Sequence, residues 1–156
     1  MQEGRYSSDY PTIQTKIPVD SHFQAPKIVL AREIMKSDLI CFGPDTPVLD
    51  CVEVLLKKNI TGAPVVDAGG YLLGVISEKD VLKLVMNEGY TQTPSGTVSE
   101  YMSKDVESVG PEEEVYKIAS LFYQRSYRRL PVVKDNKVLG IISRRDILSF
   151  IKELKS

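Results

Sequence analysis

Gly74-Val75-Ile76-Ser77-Glu78-Lys79-Asp80 and Gly140-Ile141-Ile142-Ser143-Arg144-Arg145-Asp146 carry one pattern twice: a glycine, two β-branched residues, a serine, two charged residues and an aspartate. The β-branched pair belongs on a strand, and serine followed three residues later by an acid opens a helix. Reading outward, each copy is preceded by a Pro-Val-Val triplet, Pro64-Val65-Val66 and Pro131-Val132-Val133. Further upstream Glu33 answers to Glu100, Met35 to Met102, Asp38 to Asp105, Pro44 to Pro111 and Val48 to Val115, all 67 positions apart. Past the loop the offset drops to 66, because Asp67-Ala68-Gly69-Gly70 is one residue longer than Lys134 to Asn136. Turns absorb such insertions and strands do not. An internal repeat therefore organises the chain.

Each copy predicts the same elements. A short apolar strand, Leu39 to Phe42 or Val106 to Val109, ends in Gly-Pro. A helix follows, with Thr46 placed to cap it, Pro47 at its first position, and Val48, Cys51, Val52 and Leu55 on one face; Val115, Ile118, Ala119 and Phe122 match them. The Pro-Val-Val run and the Leu-Gly run after it read as a buried hairpin. A last helix opens after Ser77 or Ser143, with Val81, Leu82 and Val85 against Ile147, Leu148 and Ile151 expected on its buried face. Ile34 and Met35, and Val98 and Met102, predict a short lead-in helix before each unit, with the two methionines as core fillers.

The fold class is α/β (α+β): two β-α-β-β-α repeats packed through their sheets with pseudo-twofold symmetry, since one such unit is too small to hide its own apolar faces. The expected division is a flexible N-terminal arm over 1–26, a first repeat over 27–88, a Gly/Pro/Thr/Ser linker over 89–96 and a second repeat over 97–156.

Composition narrows the function. The 156 residues are 42% hydrophobic and 26% charged, and 20 basic against 21 acidic side chains leave no global field for nucleic acid or anionic lipid. Cys41 and Cys51 sit in apolar stretches without metal-ligand spacing and read as reduced thiols of a cytoplasmic protein. No apolar run approaches the roughly 18 residues of a membrane span, and the opening residues lack a signal-peptide pattern. The basic and aromatic run Tyr123 to Arg129 is offset by Glu112, Glu113 and Glu114, and His22, the single histidine, lies in the arm. No Ser-His-Asp, Cys-His, paired-carboxylate or Walker-type arrangement is present, which argues against catalysis and against a metal site.

The repeated motif is where chemistry concentrates. At a strand-to-helix junction the first backbone N–H groups lack helical partners and the helix dipole is positive, so phosphate is stabilised there. Serine can cap or donate to phosphate, and an aspartate one turn on can accept from two ribose hydroxyls.

With these motifs, everything after residue 30 resembles a pair of CBS domains, a Bateman module. The resemblance implies a regulatory, non-enzymatic module that binds AMP, ADP, ATP, S-adenosylmethionine or a related adenine nucleotide in clefts between the repeats. It also implies a homodimer, and signalling in trans to an effector protein. In the family the motif's aspartate holds ribose and its serine contacts phosphate, positions matched by Asp146 and Ser143 and by Asp80 and Ser77. The resemblance then ranks the clefts. The main one is expected to join Asp146 and Ser143 to Ile60, Thr61, Gly62 and Ala63, with Thr46 near the base and Arg128, Arg129 and Arg145 at phosphate. The second, with Ser77, Lys79, Asp80 and Tyr127, carries Glu78 beside its motif and Glu113 where the first repeat has Thr46, and is expected to bind weakly or to take a less charged ligand. The alternative is a structural or protein-interaction module with no bound nucleotide.

Overall fold

The computed structural model describes residues 27–88 and 94–154; the expected arm over 1–26 with its His22, and residues 89–93 of the expected linker, lie outside them. In chain order the elements are α1 (Ala31–Ile34), α2 (Val48–Lys58), β1 (Gly62–Val66), β2 (Leu72–Ser77), α3 (Glu78–Val81), α4 (Lys83–Glu88), α5 (Val98–Tyr101), α6 (Val115–Gln124), β3 (Arg129–Lys134), β4 (Lys137–Ser143) and α7 (Arg144–Glu153). Two antiparallel hairpins, β1 with β2 and β3 with β4, form the sheets. Their turns join across the repeats, where Tyr71 bridges to Lys137 and the Leu72 N–H donates to the Asn136 carbonyl at 2.9 Å.

The opening strands are shorter than the sequence predicts. Each amounts to one parallel bridge, Phe42 to Val65 and Val109 to Val132. This bridge explains the buried prolines: the Pro64 and Pro131 carbonyls accept from Phe42 and Val109, and the next donors on that side are Val66 and Val133. No N–H is required of the proline itself.

The lead-in helices form, and they are exchanged. The first repeat's core contains Phe42, Val48, Cys51, Leu55, Val65 and Ile76, together with Val98 and Tyr101 of α5. The second contains Val109, Ile118, Phe122, Leu130 and Ile142, together with Ala31 of α1. Backbone pairing fixes the exchange: Lys36 bridges to Ile141, Ser103 to Val75, Leu30 to Glu114 and Pro47 to Thr97. It also corrects the expected cap. The Thr46 carbonyl accepts from Val98, Pro47 stays extended at φ −56° and ψ 133°, and α2 starts at Val48, one residue later than predicted.

The motif glycines serve this exchange. A Cβ on Gly140 would lie 2.6 Å from Met35 Sδ and 2.9 Å from the Lys36 carbonyl, and one on Gly74 would lie 2.6 Å from the Ser103 carbonyl. Gly140→Ala should therefore cost about 1–3 kcal/mol in urea unfolding by displacing the lead-in segment. A loss of under about 0.5 kcal/mol would mean that the segment yields freely.

The last helices keep only part of the predicted face. Ile147 is buried and Val81 packs against the first core, as expected, and Leu84 is buried too, whereas Leu82 and Leu148 are 61% and 63% exposed, and Val85 and Ile151 are exposed as well. The helix after β2 is also interrupted at Leu82, while α7 runs unbroken for ten residues.

Both cysteines are free thiols. Burial pushes Cys51 up to about 11 and raises Cys41 too. Since burial disfavours the thiolate, Cys51 leaves stability unchanged below its unfolded pKa and lowers it between there and about pH 11. Alkylation at pH 8 should thus be slow at both thiols, slowest at Cys51, and fast in urea; rapid native labelling of Cys51 would contradict its burial.

Candidate functional site

Two cavities open where the strand starts of one repeat meet the motif of the other. The first, about 590 Å³, is lined by Ile60, Thr61 and Gly62 on one side and by Ser143, Arg144, Arg145 and Asp146 on the other, with Lys36, Asn59, Arg128, Arg129 and Ile141 around it. The second, about 560 Å³, is lined by Ser77, Glu78, Lys79, Leu82 and Val75, together with Thr61, Ser126, Tyr127, Arg128 and Arg129.

In both repeats the motif folds as a reciprocal capping box. Asp146 Oδ2 accepts from the Ser143 N–H at 2.7 Å and from Ser143 Oγ at 2.9 Å, and the Asp146 N–H donates back to Ser143 Oγ at 3.2 Å. Asp80 and Ser77 make the same three bonds. The first amide of each helix is also used, Arg144 donating to the Arg128 carbonyl and Glu78 to the Thr61 carbonyl. Capping thus accounts for one oxygen of each aspartate, and any ligand must use the other.

The other oxygens differ in their partners. Asp80 Oδ1 accepts from Ser103 Oγ at 3.2 Å and has Lys83 Nζ 3.5 Å away. Among the described residues, Asp146 Oδ1 is paired with Lys36 Nζ alone, at 3.6 Å. The two carboxylate side chains are about equally covered, 11% exposed at Asp146 and 10% at Asp80, but of the two only Asp146 lines a cavity. Lys36 and Ser103 are repeat equivalents, each brought to the other repeat's aspartate by the exchanged lead-in segments. Helix length separates the sites further. The ten residues of α7 sustain a dipole at Ser143, whereas α3 is four residues long.

Cations gather at the first cavity. Arg145 is exposed beside Asp146, while Arg144 Nη2 donates to the Phe122 and Arg125 carbonyls and so closes the end of α6. Arg129 is half-buried, and burial lowers its pKa, partly countered by Glu78, with Arg128 adding to the lowering. Tyr127 is held above its ordinary value chiefly by a hydrogen bond to Glu107.

The structure thus brings Ile60, Thr61, Gly62, Arg128, Arg129, Ser143, Arg145 and Asp146 to one cavity and Ser77, Lys79 and Tyr127 to the other. It does not bring Thr46 or Glu113 to either; Thr46 is occupied with the α5 segment, and Glu113 pairs with Lys117 at 3.5 Å. Ala63 is 1% exposed in the core, and Asp80, which is buried, does not line the second cavity. Lys36 and Asn59, absent from the sequence reading, line the first cavity. Lys36 is signalled by its place after Met35, equivalent to Ser103 after Met102, and Asn59 by a residue that ends α2 at φ 51°.

A duplicated hairpin-and-helix unit with paired clefts between the copies defines a tandem regulatory module. The chain belongs to the CBS domain family, whose model matches residues 31–87 and 98–153, and which is regulatory and non-catalytic. An uncharacterized protein of Methanocaldococcus jannaschii, MJ1225, is 28% identical over 77% of this chain and 42% of its own length. The chain spans less than half the length of the curated relatives it matches first. Among solved structures, CBSX2 in complex with AMP is 30% identical with a TM-score of 0.72, over 81% of this chain and 98% of that one. The CBS domain pair of MJ0100, in complex with 5'-methylthioadenosine and S-adenosyl-L-methionine, is 26% identical with a TM-score of 0.70, over 83% and 100%. Among the described residues no helix is long and apolar enough to cross a membrane.

Proposed function

We propose that this chain is a ligand-sensing module that binds an adenine nucleotide, AMP, ADP, ATP or S-adenosylmethionine, first in the Asp146 cleft, and signals in trans to an effector protein. The observation that carries this reading is that Asp146, whose second carboxylate oxygen is paired with the exposed Lys36, lines one cavity together with Arg128, Arg129 and Arg145. A ribose needs the first and phosphates the second. The AMP-bound and S-adenosylmethionine-bound relatives support the choice of adenine compounds. Binding across both repeats biases their relative orientation, which is what a partner would read.

A thermal-shift panel of AMP, ADP, ATP, S-adenosylmethionine and GTP tests the reading. A ligand at a hundredfold excess over its Kd adds about 2.7 kcal/mol, or roughly 5–10 °C in Tm, to a module of this size. No shift with any adenine compound would favour a protein-interaction module instead.

A homodimer forms part of the proposal. Leu82 and Val85, and their repeat equivalents Leu148 and Ile151, give each repeat the same exposed apolar stripe, which suits the self-complementary contact of a twofold dimer. Light scattering on the wild type and on the Leu148→Lys, Ile151→Lys double variant should give twice the chain mass and one chain mass, respectively. An unchanged mass in the variant would place the dimer contact elsewhere.

A further inference from the structure

We propose that the two clefts share one pair of phosphate-binding cations, Arg128 and Arg129, and therefore hold one phosphorylated nucleotide per chain at a time. Both arginines line both cavities. The sharing originates where β1 and β3 begin, at the repeat equivalents Gly62 and Arg129. A Cβ on Gly62 would run into Arg129 Nη1 and would lie 2.7 Å from the Ile76 carbonyl. The absence of a side chain at one equivalent lets the guanidinium of the other lie across the junction between the clefts. Thr61 stands where the second repeat has Arg128, so the first repeat returns no cation.

Charge outside the shared pair makes the sharing unequal. Around the Asp146 cavity, Lys36, Arg144 and Arg145 stand against Asp146, three positive charges to one negative. Around the other, Lys79 stands against Glu78, one to one. The second cleft's attraction for phosphate is thus wholly borrowed. Once a nucleotide in the Asp146 cleft draws Arg128 and Arg129 to its phosphates, the second retains no net positive charge to hold another polyanion. Ligand charge then sets stoichiometry, a level of regulation that rests on the nucleotide-binding reading above.

Equilibrium dialysis with radiolabelled ATP on the full chain, as wild type and as Glu78→Gln, tests the sharing. Glu78 is exposed, so the variant keeps the fold while giving the second cleft a net cation of its own. The wild type should saturate at one ATP per chain, with any second equivalent at least tenfold weaker. In Glu78→Gln the second equivalent should tighten by roughly tenfold. Two ATP per chain of equal affinity in the wild type, or an unchanged second equivalent in the variant, overturns the sharing and leaves nucleotide binding standing. No bound ATP in either protein overturns the sharing, and the nucleotide reading then falls only if the thermal-shift panel also finds no adenine compound that binds.

Discussion

Asp146→Ala is expected to weaken adenine-nucleotide binding by about 10- to 100-fold, the effect of removing hydrogen bonds to a charged acceptor, whereas Asp80→Ala should leave affinity within about threefold. The asymmetry follows from the second oxygen of each carboxylate. On Asp146, which lines the cavity, its partner is an exposed lysine that a ribose diol can displace. On Asp80, which does not line the second cavity, it is already taken by Ser103 and Lys83. Stability should move in the opposite order. Both variants lose a capping box, worth about 0.5–2 kcal/mol, but Asp80→Ala also loses the hydrogen bond from Ser103, which adds about 0.5–1.5 kcal/mol. Titration calorimetry for affinity and urea unfolding for stability, performed on both variants, should separate the two aspartates. Equal losses of affinity would reject the ranking of the clefts.

Ile142→Ala should lower stability by about 2–5 kcal/mol, the range for deleting most of a fully buried branched side chain. Ile142 is 0% exposed in the second core, which it shares with its strand partner Leu130 and with Ala31 of the exchanged lead-in. Because each core contains a segment of the other half, the loss should appear as one cooperative transition. Circular dichroism in urea measures both quantities. A second transition, with the first repeat surviving alone, would show the exchanged segments to be energetically minor.

Most of the fold was legible because its signals are local and occur twice. The apolar spacing of Val48, Cys51 and Leu55, the Pro-Val-Val runs and the Ser-to-Asp motif each report on one element, and the repeat fixes how the elements correspond. The exchange was not legible, since sequence adjacency places Met35 and Lys36 with the first repeat while the glycine that receives Met35 lies in the second. Lys36 was missed for that reason, and Thr46 was given to the cleft although its carbonyl belongs to the exchanged segment. The sequence places the buried face of α7 correctly at Ile147 but not at Leu148 and Ile151. Ile147, Leu148, Phe150 and Ile151 span an arc of about 160°, and periodicity alone does not say which edge of so broad a stripe meets the core. That the clefts differ in charge was legible from Glu78, but the bond from Ser103 to Asp80 is a contact across 23 positions.

The exchanged lead-in segments make the two halves a reciprocal pair. Cleaving the backbone between residues 89 and 93 would leave two fragments, each carrying the piece that fills the other's core. Such fragments should each fail to fold alone and should reassemble when mixed, so the module is already organised for fragment complementation.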